Sequence, residues 1–157
     1  GGDDGMWLDG LMPYLATAHY RTGSSAVKRV LRANPGRGEQ VGQIVHTQIT
    51  TWREPQPDHP ARFNGKVQVA IGPLTYSSSV LFANVMQDFN FATLVGSGGA
   101  ARRSQSGGVY GVPLPQSGLT LWIPRFVLDP PLDGPKGALL NVQAPWDRRA
   151  APACQAL

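Results

Sequence analysis

Cys154 is the only cysteine in the 157-residue chain. A disulfide framework and a cysteine-based metal site are thereby excluded, and thiol usage leaves the redox compartment open. Long apolar runs are also missing. None approaches the roughly 20 residues that a helix needs to cross a bilayer, so no membrane span is expected. Acidic residues are absent between Asp88 and Asp129, and lysine is confined to Lys28, Lys66 and Lys136. No internal repeat is found, and neither a cofactor nor a metal ion is expected.

What is present describes one folded domain. Apolar residues make up 41% and aromatics 8%, which is ordinary for a globular protein, while 19 glycines and 14 prolines call for many turns and loops. The net charge of +4 and pI near 9.6 raise polyanion binding as one reading. No segment concentrates basic residues with interleaved aromatics, so nucleic acid is not the expected partner. The opening GGDDGMWLDG has no initiator Met, basic region or apolar signal core. The chain reads as part of a longer polypeptide, with any targeting signal upstream and its localisation unknown.

In chain order, Met6, Trp7, Leu8, Leu11, Met12, Leu15 and Ala16 follow helical spacing, with Pro13 set to interrupt a long helix. Ser24 and Ser25 are placed to cap a second helix over SSAVKRVLRAN, with Val27, Val30 and Leu31 on one side and Lys28, Arg29 and Arg32 on the other. Residues 41–52 carry β-branched positions and read as a strand. The Pro-rich stretch 53–65 reads as a surface loop, and His46 and His59 lie in or near these two segments.

The densest signal runs from Lys66 to Gly96. Val67, Val69 and Ile71 form a strand, Gly72-Pro73 turns it, an almost wholly apolar buried helix follows from Ser77 to Phe89, and Ala92–Val95 gives another strand. Residues 102–111 read as a loop, and 117–128 as a strand pattern broken by Pro124. Residues 129–157 form a Pro/Gly/Ala-rich tail, expected to be irregular and partly mobile, beyond a body spanning 1–128.

Two readings of chemistry compete in the central stretch. Gly96-Ser97-Gly98-Gly99-Ala100-Ala101 fits a loose dinucleotide pattern, with Arg102 and Arg103 nearby for phosphate. No acid follows about 20 residues on to take a ribose hydroxyl, and no helix follows to receive a pyrophosphate. The other reading concerns Thr75-Tyr76-Ser77-Ser78-Ser79. A serine at a helix start is offered backbone N–H groups and the positive end of the helix dipole, which favour an oxyanion. The same residues also serve as ordinary helix caps, and from the residues alone both uses stand.

T-Y-S-S-S-V-L-F-A-N-V-M-Q-D-F, followed by A-T-L-V-G, resembles the nucleophile segment of the C-terminal processing (tail-specific) serine peptidases. That group includes the tricorn core protease and the interphotoreceptor retinoid-binding protein modules. G-G-D-D-G-M-W resembles the end of the family's glycine-rich oxyanion segment, and L-P-Q-S-G-L-T-L-W its L-P-N-S-G-L strand. The resemblance implies an α/β fold of the ClpP/crotonase-like kind, incomplete because the upstream half is absent. It implies Ser77 as nucleophile, with the N–H groups of Ser78 and of Gly2 or Gly1 forming an oxyanion hole. It also implies a polypeptide substrate and, as a partner, the missing N-terminal part of the parent chain, often bearing a PDZ module.

Two positions depart from the family pattern. Arg102 stands where its lysine base would fall, and arginine stays protonated. Val80 replaces the usual glutamate. Lys28, Lys66 and Lys136 have no motif that places them at Ser77, and a tricorn-like base would be a histidine from the absent upstream region. The expectation is therefore a serine endopeptidase core with its base unassigned. The alternative is a non-catalytic peptide- or ligand-binding module of the same fold.

Overall fold

The computed structural model describes residues 4–96, 101–132, 134–135, 137–142 and 144–145. The first apolar segment forms two short helices, α1 (Asp4–Gly10) and α2 (Met12–Leu15). The break falls at Leu11, and Pro13 sits in the first turn of α2, where its missing N–H costs nothing.

The expected second helix is a strand, β1 (Ser25–Arg29). It pairs antiparallel on one side with β2 (Ile44–Gln48) and on the other with the distant β8 (Phe126–Leu128). Helical periodicity over SSAVKRVLRAN is genuine but short. Two ladders of sheet hydrogen bonds, formed by partners remote in sequence, outweigh it.

The central stretch folds as its pattern predicts. Strand β3 (Gln68–Ile71) leads through the Gly72-Pro73 turn to α3 (Ser78–Asp88), which returns to β4 (Thr93–Gly96), and β3 and β4 pair in parallel. Asn90, in the left-handed region at φ 55°, stops the helix. A β-carbon on Gly96 would fall 2.0 Å from the Ile71 carbonyl oxygen, so the parallel pair closes on a residue that must be glycine. Val85 and Met86 of α3 pack with Trp7, Met12, Ala16, Tyr20 and Phe91 in one cluster. Val80 and Ala83 pack with Ile71, Leu94 and Leu140 in another. The helix is thus buried on both flanks.

Residues 102–111 are not simply a loop. They supply β5 (Gln105–Gly107) and the start of β6 (Tyr110–Pro113). Their Ser/Gly composition has little strand propensity, but β5 is ordered by its ladder to β8. Pro124 separates β7 (Thr120–Ile123), which forms a hairpin with β6, from β8, which enters the four-stranded sheet β2-β1-β8-β5. The described residues of 129–145 contain no helix or strand, yet they are held to the body. Pro131 and Leu140 are buried, and Ala144 bridges Val95 in parallel beside β4. Helices and strands therefore mix as an α/β protein requires, and no helix among the described residues is long and apolar enough to cross a membrane.

Candidate functional site

The site is built at the junction of β3 and α3. Thr75 does not cap the helix. It closes the preceding turn, its N–H donating to the Gly72 carbonyl at 2.9 Å and its Oγ1 accepting the Gly72 N–H at 2.9 Å. The chain then enters α3 through Ser77 at φ 56° and ψ −132°, outside the regions open to L-residues at low cost. Ser77 occupies the N-cap position, but its hydroxyl makes no capping bond. No described residue hydrogen-bonds its Oγ. The capping role that the sequence left open for Ser77 is therefore not used.

Gln105 at the start of β5 fixes this backbone. Its Oε1 accepts the Ser77 N–H at 2.9 Å, while its Nε2 donates to the carbonyls of Arg102 at 2.7 Å and Ser104 at 3.1 Å. Both ends of the amide are thus assigned by their partners. Sequence reasoning missed Gln105 because it lies 28 residues from Ser77, inside a Ser/Gly run with no motif around it.

An open, mostly apolar cavity of about 870 Å³ adjoins the turn, walled by Trp7, Leu11, Ile71, Leu74 and Phe82 with Thr75, Ser78 and Ser79. Ser77 is not part of that wall; it is half-buried, and of its two chain neighbours Ser78 lines the cavity and Tyr76 does not. Ser78 is buried at the head of α3, where first-turn N–H groups and the helix dipole favour negative charge. Gly1 and Gly2 lie outside the described residues, as do Lys136, Cys154 and residues 97–100 of the glycine-rich hexamer.

Each candidate base within the described residues is engaged elsewhere or exposed. Lys28 pairs with Glu39 at 2.6 Å, Lys66 is exposed, and Arg102 is exposed. His19 pairs with Glu54, His59 Nδ1 accepts the Ala61 N–H at 3.1 Å, and His46 lies exposed in β2. The neighbouring Arg103 is buried. It donates to Asn84 Oδ1 at 3.0 Å and forms an ion pair with Asp88, whose second oxygen accepts the Leu132 N–H at 2.9 Å. Among the described residues, no group of three or more His, Cys, Asp or Glu is placed to hold a metal ion. No family model, curated protein or solved structure matches the chain.

Proposed function

We propose that the chain is the core of a serine-type endopeptidase with a ClpP/crotonase-like arrangement, hydrolysing exposed or unfolded polypeptides through an acyl-enzyme on Ser77. The observation that carries this reading is the strained, uncapped Ser77 at the head of α3. Strained strand-to-helix turns of this kind are how α/β hydrolases present a nucleophilic hydroxyl, whereas capping needs no such backbone. The parallel β3–α3–β4 unit supports the architecture.

In this reading Ser77 Oγ attacks the peptide carbonyl carbon and its proton passes to a base outside the described residues. The tetrahedral oxyanion is met by the positive end of α3, with the Ser78 N–H as donor. Collapse breaks the C–N bond as the same base returns its proton to the departing amine nitrogen, and water then hydrolyses the Ser77 ester. The polypeptide flanks occupy the apolar cavity beside Thr75 and Ser79.

Fluorophosphonate labelling followed by peptide mapping tests the assignment. Modification at Ser77 is expected, abolished in Ser77→Ala and retained in Ser79→Ala. Labelling at no serine, or undiminished labelling in Ser77→Ala, overturns it. A second reading, a non-catalytic peptide- or ligand-binding module of the same fold, is favoured by one observation. No described side chain bonds Ser77 Oγ, and Arg102 cannot act as a base. Peptide hydrolysis by the purified chain that disappears in Ser77→Ala eliminates this alternative.

A further inference from the structure

The basic residues that are scattered in sequence converge in space. Lys28 and Arg29 of β1, Arg32 and Arg37 beyond it, and Arg125 before β8 wall an open cleft of about 630 Å³, in which Glu39 is the one carboxylate among the described residues. Glu39 is taken by Lys28. The guanidinium groups of Arg29, Arg32, Arg37 and Arg125 have no carboxylate partner among the described residues. A cleft lined by one sign of charge concentrates anions, and arginine forks match the planar geometry of carboxylates.

The cleft's aromatic rings are each partly covered. Arg32 lies over Tyr110, 5.1 Å from the ring centre, and donates to its hydroxyl at 2.9 Å. The Phe126 ring covers Gly107 and Gly108, so closely that a β-carbon at either would fall 2.8 Å or 2.6 Å from it. Each ring thus has a face already covered, and the arginine forks, matched to planar carboxylates, favour an acidic polypeptide over single-stranded nucleic acid.

Sheet register links the Lys28 wall of this cleft to Ser77, while Arg29, next along β1, projects to the opposite face. Gly107 pairs with Phe126, and Phe126 with Lys28. Directly paired residues share a face, and Gln105 shares it with Gly107 by alternation along β5. The face that carries Lys28 is therefore the one from which Gln105 reaches the Ser77 N–H. From Gln105 to Lys28 is about 7 Å along the strand and about 10 Å across two ladders, a span of roughly four residues of extended chain.

We infer that this cleft receives acidic side chains of the polypeptide presented to Ser77, roughly four residues from the bond to be cleaved; the inference rests on the peptidase reading of Ser77. The test uses the Ser77→Ala chain, which binds without turnover. It is titrated, by fluorescence anisotropy, with a labelled peptide bearing a glutamate run and with its glutamine counterpart.

The glutamate peptide is expected to bind about tenfold more tightly, with an advantage that shrinks as salt rises. Adding Arg32→Gln and Arg37→Gln, both at exposed positions of the cleft wall, should bring the two peptides to equal affinity while circular dichroism stays unchanged. Arg37→Gln alone should narrow the gap if the double variant folds poorly. Equal binding of the two peptides, or a preference that survives the substitutions, overturns the inference. So does tighter binding of an oligothymidylate of matched charge. Charge-selective binding without Ser77 labelling in the unmodified chain would instead overturn the peptidase reading and leave the cleft assignment standing.

Discussion

At φ 56° and ψ −132° the Cβ of Ser77 crowds the backbone, and the hydroxyl recovers none of that cost through a capping bond. Such conformations store about 1–3 kcal/mol, and glycine adopts them freely. Ser77→Gly is therefore expected to be more stable than Ser77→Ala by about 1–2 kcal/mol, read from urea midpoints. Equal midpoints would mean that the backbone carries no such strain. The strand-to-helix junction at Ser77 was legible because T-Y-S-S-S follows a Gly-Pro turn within one short window. Gln105 was not, since a polar side chain in a Ser/Gly run acquires its role only when β5 is laid beside the turn.

Between elements, a buried polar tie runs through Arg103, which joins α3 through Asn84 and Asp88 to the segment entering β5. Asp88 also holds the Leu132 N–H, so this ion pair fastens residues 129–132 to the same helix. Arg103 and Asp88 are both largely buried, and removing one partner strands the other charge. Arg103→Leu should cost about 3–5 kcal/mol in chemical denaturation, and Asp88→Asn combined with it should recover part of that loss. An additive double variant would show that the pair is not coupled. Elements with local signals were legible: α3 from its continuous apolar surface, β3 and β4 from β-branched runs. The sequence misleads at β1 and β5, where ladders to β8, about 100 and about 20 residues away, decide the conformation.

For the molecule as a whole, the aromatic cluster beneath α1, α2 and α3 sets a limit in alkali. Tyr20 packs edge-on against Phe89 and Phe91, and its burial pushes the phenol above its usual pKa, with Arg53 pulling it down less strongly and Asp9 adding slightly to the rise. A group whose pKa is raised on folding contributes its full stability below the unfolded value. That stability is lost as pH climbs from about 10 through the folded value. Thermal unfolding followed above pH 10 should therefore fall less steeply in Tyr20→Phe than in the unmodified chain, and parallel declines would refute this. The hold of Gln105 on Ser77 also has a consequence in time. The Ser77 amide proton is locked not by its own helix but by a strand reached 28 residues later. In hydrogen–deuterium exchange it should open together with the β5–β8 amides and not with those of mid-α3. The strained conformation of the serine would then assemble late in folding and be the first to be lost when β5 frays.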